Sequence, residues 1–381
     1  MRYLRNEPKY NLMKLPRLKV SQVPLQARAA KAANRLFSLY SQGGTGKTSI
    51  VKSVVAPALG IAPEDVFIVN LSGADPAAVI GYGIPDHDTR DMYFSSPEIW
   101  PTAERHPNDR PKLLCLDEAP DYDSGVNSLC RSLYNPDGGP GKIGTHTIAD
   151  NTFVMRTGNR RTDGSSRSTI PSAPEVERTF SYELINPLDD WLEGYAFQHE
   201  GIADSPIIAF LQFNNGLKGV DHFCPPIPAP WDGSPHPCPR TWEAACRAER
   251  FLFNDADAGP ADVSLAIRGA VGEDSGNAAF AFAETVAKDL PLIKKIRAGE
   301  AELPEDTSQQ YGVVYAGIRT AVRESRKDPE AAVAGGAVDW LVDRFICKAM
   351  GEVRTWAYTA AVNSDLPLAM HPRRDEMQGL K

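Results

Sequence analysis

The sequence predicts an α/β fold: a three-layer αβα core of mainly parallel strands, followed by a helical C-terminal half. Three observations carry that prediction. The runs Leu36-Phe-Ser-Leu-Tyr40, Asp65-Val-Phe-Ile-Val-Asn-Leu71, Lys112-Leu-Leu-Cys-Leu-Asp-Glu118 and Asn151-Thr-Phe-Val-Met-Arg-Thr157 are short, apolar and bounded by polar residues, the pattern of strands buried on both faces. Helix-forming stretches separate them, as crossovers between parallel strands require. The first run leads straight into Ser41-Gln-Gly-Gly-Thr-Gly-Lys-Thr48, a glycine-rich turn ahead of a helix.

A chain of 381 residues has room for two or three domains of ~100–200 residues each. Hydrophobic residues make up 42% and charged residues 24%, as in soluble globular proteins. No apolar run approaches the ~20 residues that span a bilayer, and the basic N-terminus lacks the apolar core of a signal peptide. The six cysteines, at 115, 130, 224, 238, 246 and 347, have no close regular spacing. In a chain of this size that implies reduced thiols and a cytoplasmic setting. Charge is uneven: residues 1–35 carry nine Lys or Arg against one acid, leaving 32 basic against 48 acidic residues in the body. A body at −16 argues against non-specific nucleic-acid binding as the main task, and the basic arm is expected to pack on that body or on a neighbouring subunit.

In chain order, residues 1–20 read as an irregular arm interrupted by Pro8 and Pro16, and Gln22–Arg35 as an Ala-rich helix entering the first core strand. Residues 72–110, rich in Gly, Pro and Asp, read as an insertion with short helices. A helix is expected over Gly125–Tyr134, then a Gly/Pro turn at 135–141, and a strand at Thr179–Ile185. From Asp189 the pattern becomes helical: 189–197, Pro206–Asn214, Thr241–Phe253 and Ala261–Val271, with a proline-rich loop at 225–239 and further helices at Gln309–Glu324 and Ala337–Ala361.

The chemistry sits where strands end. Gly43, Gly44 and Gly46 let backbone N–H groups turn inward, and with Thr45, Lys47, Thr48 and Ser49 they are expected to form a cradle for the β- and γ-phosphates of a nucleotide at a helix N-terminus. Lys47 would reach those phosphates and Thr48 would ligate Mg²⁺. Asp117-Glu118, closing an apolar strand about 70 residues later, has the Walker B form: Asp117 as metal ligand, Glu118 as the base that polarises water. Asn159, at the end of the next strand, is placed to orient that water. Arg178 follows a short helix in Pro-Ser-Ala-Pro-Glu-Val-Glu-Arg-Thr-Phe180 and is read as an arginine finger acting across a subunit boundary; Arg160, Arg161 and Arg167 are neighbours that could share the role.

P-loop, Walker B, Asn159 and Arg178 in this order and spacing resemble the AAA+ ATPases. Further segments are similar to the MoxR-like branch, in a phage or bacterial form. Gly158-Asn-Arg160 resembles its sensor 1, Pro187-Leu-Asp-Asp-Trp-Leu192 its entry into a helical lid, and Pro237-Cys-Pro-Arg-Thr-Trp-Glu243 its sensor 2 segment, which maps that arginine to Arg240. Val271-Gly-Glu273 and Ala278-Ala-Phe-Ala-Phe282 are similar to the lid. The resemblance covers residues 36–285, with a weaker echo in 337–370. It departs at Ser41, where the family has glycine, and at Thr179, which separates Arg178 from Phe180.

The resemblance implies an AAA+ core (36–188) and a helical lid (189–285), with a helical extension (286–381) after them and, before them, the basic arm (1–35), which has no counterpart in the family. It also implies a homo-oligomeric ring, usually a hexamer, with Mg·ATP at each interface. Such a ring would remodel a protein client, often beside a partner with a von Willebrand factor A domain, in the host cytoplasm if the chain is phage-encoded. Tyr82, Tyr93 and Phe94 would be candidates for contact in the central pore. A helicase or McrB-like translocase is the alternative, kept open by the basic arm. Outside that frame, His222-Phe-Cys224 and His236-Pro-Cys238 form two His-x-Cys pairs whose four side chains would make a Cys₂His₂ zinc set if they converged.

Overall fold

Among the described residues the strands are β1 (Arg17–Lys19), β2 (Leu36–Tyr40), β3 (Val66–Asn70), β4 (Gly83–Pro85), β5 (Met92–Phe94), β6 (Lys112–Asp117), β7 (Lys142–Ile143), β8 (His146–Thr147), β9 (Thr152–Gly158) and β10 (Thr179–Ile185), of which β2, β3, β6 and β9 are the four apolar runs. This computed structural model describes the chain apart from residues 1–13, 107–109, 134–140, 164–167, 170, 200, 204, 216–218, 229–230, 254, 256, 289, 307–309, 311, 319, 322–335, 364–365, 367–372 and 379–381. The chain divides into two units, Met1–Pro187 with Pro226–Trp231 and Leu188–Pro225 with Asp232–Lys381.

In the first unit six strands form one parallel sheet in the order β1-β10-β2-β9-β6-β3. Side chains alternate across it. On one face Phe37, Leu39, Leu113, Cys115, Phe153 and Met155 meet the helix Val23–Ala32 and the helical segment after the P-loop. On the other, Leu36, Leu114, Leu116 and Val69 meet Val79 of the helix Pro76–Ile80 and Val126 of the helix Ser124–Cys130. Apolar residues on both sides are why these runs lack a polar stripe in the sequence. Because every pair is parallel, the C-terminal ends of β2, β6 and β9 share one edge of the sheet, and the N-terminal ends share the opposite edge.

Three expectations change. Leu18, buried between exposed Arg17 and Lys19, sits in the edge strand β1 beside β10, so the arm is ordered into the sheet from Arg17 onward. Three residues are too few to show alternation in a sequence. The insertion 72–110 carries, besides the helix Pro76–Ile80, an antiparallel hairpin of β4 and β5 with Tyr82, Met92 and Tyr93 exposed. The helix expected over 337–361 is broken into Gly336–Leu341, a π-helical turn at Val342–Ile346, and Gly351–Asn363. The Gly/Pro turn at 135–141 lies largely outside the described residues, as does the arm before Lys14, whereas the helix expected over 309–324 is helical at its described residues 310, 312–318 and 320–321.

The helix after the P-loop runs from Lys47 to Ala58 with a π turn at Val51–Val55. Pro57 has no N–H to give a regular ladder, and just before it Ala56 N–H reaches back five residues to the carbonyl of Val51.

The second unit is helical. Leu188–Gly194, Pro206–Asn214, Pro239–Phe253, Pro260–Val271 and Glu273–Lys288 enclose a core of Trp191, Ile207, Phe210, Trp242, Ile267 and Ala279. A further core gathers Ile293, Val313, Tyr315, Phe345, Val353 and Ala357. Among the described residues no helix is long and apolar enough to cross a membrane.

Candidate active site

β2 ends at Tyr40, and the chain turns through residues 41–46 into the helix starting at Lys47. Gly44 and Gly46 have φ of 77° and 95°, a region closed to most side chains. The Gly46 carbonyl then accepts from Ile50 N–H at 2.9 Å and opens the helix. Lys47 is buried. Its ammonium donates to the carbonyls of Ser41 (2.9 Å) and Gln42 (3.0 Å), to Ser41 Oγ (3.2 Å) and to Asn159 Oδ1 (2.7 Å). Ser41, where the family pattern has glycine, also shares a hydrogen bond with the Thr45 hydroxyl. Asn186, just beyond β10, donates to the Thr45 carbonyl at 3.1 Å. The loop is therefore braced from within and from the neighbouring strand end.

At the end of β6, Thr48 Oγ1 donates to Asp117 Oδ2 at 3.0 Å, and the Thr157 hydroxyl donates to Asp117 Oδ1. Tyr122 OH donates to the carbonyls of Asp117 (2.8 Å) and Val69 (2.9 Å), tying β6 to β3. Glu118 has φ 57° and ψ 29°, a left-handed conformation that costs an ordinary residue about 1–2 kcal/mol. Asn70 Nδ2 holds its Oε2 at 2.8 Å. Behind it, a β-carbon on Gly158 would lie 2.2 Å from Pro120 Cδ, so only glycine lets β9 pass this close to the turn after Glu118.

These groups suit Mg·ATP. A hydroxyl and a carboxylate oxygen side by side, Thr48 and Asp117, are the hard oxygen donors Mg²⁺ takes. An ammonium surrounded by oxygens, at the mouth of a loop that opens a helix, suits phosphate. Thr157→Val removes the hydroxyl that fixes one oxygen of Asp117 while keeping the strand's shape. The Mg²⁺ concentration giving half-maximal nucleotide binding is expected to rise about tenfold, the scale of a lost partner behind a metal ligand; a magnesium titration with a fluorescent ATP analogue reads it, and an unchanged midpoint removes Thr157 from the site.

Arg178 stands apart from this cluster. It caps the helix Ala173–Glu177, its side chain is exposed, and its carbonyl accepts from Leu36 N–H at 3.1 Å. Leu36 starts β2, whereas the glycine-rich loop follows its end, so Arg178 lies roughly 17 Å along the sheet, five residues at ~3.3 Å each, from that loop. Arg160 is otherwise engaged, bonded to Asp163 (2.9 Å) and Glu183 (3.0 Å). Burial opposes its charge, but those two carboxylates outweigh that and raise its pKa. Arg167 lies outside the described residues, as does the side chain of Arg161. Arg240 is exposed in the first turn of Pro239–Phe253, in the second unit.

The zinc set does not assemble. His222 Nδ1 is hydrogen-bonded to Ser275 Oγ (3.1 Å) and His236 Nε2 to the Pro225 carbonyl (2.8 Å), while Thr241 Oγ1 donates to Cys238 Sγ (3.4 Å). Among the described residues no group of three or more His, Cys, Asp or Glu is placed to hold a metal ion. The pairs instead serve the fold: Trp242, fully buried, donates its indole N–H to the carbonyls of His222 (2.9 Å) and Phe223 (3.1 Å).

Asn70, Thr157 and Asn186 were given no role by the sequence reading. Each stands at or just beyond the C-terminal end of a parallel strand, the edge where open α/β sheets place their ligands, and that position was the available signal.

The parallel sheet flanked by helices, with a glycine-rich turn at the end of a central strand, has the architecture of an α/β P-loop NTPase. No family model matches the chain, and no curated protein matches it. Among solved structures it is similar to one described as a closed-state cryo-EM reconstruction of Hsp104 with ATPγS and FITC casein, at a TM-score of 0.33 and 15% sequence identity. The match covers 48% of this chain and 36% of that one, so the chain spans about a third of its length.

Proposed function

We propose that this chain is an AAA+ ATPase of the MoxR-like type, which couples Mg·ATP hydrolysis in a homo-oligomeric ring to the remodelling of a protein client. The observation that carries the reading is the convergence of Lys47, Thr48, Asp117, Glu118, Thr157 and Asn159 at one edge of the sheet, from strands far apart in sequence. Lys47 exchanges loop carbonyls for phosphate oxygens. Thr48 and Asp117 would hold Mg²⁺, which would neutralise phosphate charge when bound. Glu118 takes a proton from water, and Asn159, beside Lys47, orients the reacting groups. Arg178 serves the next subunit's nucleotide, and Arg240 senses it from the helical unit. The exposed hairpin of β4 and β5 offers Tyr82 and Tyr93 to a client, and a von Willebrand factor A domain protein is the expected partner.

The test is solution mass with and without Mg·ATP, together with phosphate release. A nucleotide-dependent assembly of about six subunits that releases phosphate, without stimulation by DNA, supports the reading. Hydrolysis that appears only with DNA and falls steeply with salt supports the translocase instead.

A further inference from the structure

Two residues before the tip of β9, a buried ion pair links the nucleotide edge of the sheet to the helix that ends at Arg178. Arg156 is 5% exposed and Glu175 8%. The Arg156 guanidinium lies 3.5 Å from Glu175 Oε1, and it donates to Tyr40 OH at 3.3 Å. Tyr40 is the last residue before the P-loop. On the same strand as Arg156, Thr157 holds Asp117, and Asn159 beyond the strand holds Lys47.

Glu175 divides its carboxylate between two tasks. Oε2 accepts from the N–H and the hydroxyl of Ser172, both at 2.7 Å, and caps the helix Ala173–Glu177. Oε1 faces Arg156. Burial works against its charge, but Ser172 and Arg156 outweigh it and keep the pKa below the usual carboxylate value. The backbone of Glu175 is used as well: its carbonyl accepts from Arg178 N–H (3.2 Å) and from Thr179 Oγ1 (2.5 Å). Helix start, helix end and the first residue of β10 thus all depend on where this one residue sits.

We propose that Arg156 is a positioning residue for Arg178: it fixes the finger helix against the strand ends that carry the nucleotide site, and so sets where the guanidinium of Arg178 is presented to the neighbouring subunit. This rests on the reading of Arg178 as a finger acting in trans. A buried pair need not add stability over apolar neighbours of similar size. A device that holds two elements in register gives this one a purpose that stability does not.

The experiment uses the full chain with Arg156→Met and Glu175→Gln combined, so that no lone charge is left buried and the introduced amide oxygen still accepts from Ser172. ATP affinity and ring mass are expected to match wild type, with kcat lower by about a hundredfold, the effect of a misplacement near 1 Å. KM should hold, Arg156→Lys should recover part of kcat, and the pair with Arg178→Ala added should be no slower than Arg178→Ala alone. Wild-type kcat in the paired variant, or losses that multiply when Arg178→Ala is added, would overturn the proposal and leave the ATPase reading standing. A wild-type chain that releases no phosphate in the same assay defeats both.

Discussion

Glu118→Gln is expected to bind Mg·ATP as tightly as the wild-type chain and to release phosphate about 10²–10⁴-fold more slowly, the usual contribution of a general base. The substitution is mild in structural terms. A glutamine oxygen still accepts from Asn70 Nδ2, the bond that now holds Oε2 at 2.8 Å, and the left-handed backbone at 118 is as open to Gln as to Glu. What is lost is the ability to take a proton. Binding measured with a fluorescent ATP analogue, and single-turnover phosphate release, separate the two effects. Nucleotide trapped on assembled rings is the expected outcome. Equal rates for variant and wild type would move the base elsewhere, and a wild-type chain that assembles with ATP without turnover would make it a scaffold.

The core strands were legible because burial on both faces leaves an uninterrupted apolar run, as in Leu113–Leu116. The glycine-rich turn before Lys47 and the strand end at Asp117-Glu118 were legible because the proposed chemistry would require particular residues side by side in the sequence. What escaped notice depends on tertiary pairing. Thr157 reads as one more β-branched strand residue until β9 is laid between β2 and β6, and only that order brings its hydroxyl to Asp117. Asn70 reads as the polar end of a strand until β3 is set beside β6, with Asn70 opposite Asp117. The opposite error arose at 222–238. Two His-x-Cys pairs look like a metal site in one dimension, yet the fold turns His222 toward Ser275 and His236 toward Pro225. Local spacing cannot tell converging ligands from residues spent on loop carbonyls and hydroxyls.

Arg178→Ala is expected to leave nucleotide binding intact and to reduce hydrolysis by about 10³–10⁵-fold, the effect of removing an arginine finger in other NTPases. The geometry explains both halves of that expectation. Arg178 is held at the start of β10, beside the start of β2, whereas the P-loop lies beyond the end of β2. A side chain reaching ~7 Å does not cover five strand residues of ~3.3 Å each, so the arginine contributes nothing to binding at its own site. Its backbone is fixed by bonds to Glu175 and Leu36, while its side chain is exposed, as the proposed role in a neighbouring subunit requires. Mixing makes the argument decisive. Arg178→Ala subunits keep a working phosphate cradle without a finger; Lys47→Ala subunits keep a finger without a cradle. Neither alone should hydrolyse ATP, and rings assembled from both should regain activity wherever a Lys47→Ala subunit offers its Arg178 to an intact P-loop. Full activity in Arg178→Ala alone, or inactive mixtures that nevertheless assemble, would remove the finger from residue 178 and place catalysis within a single subunit.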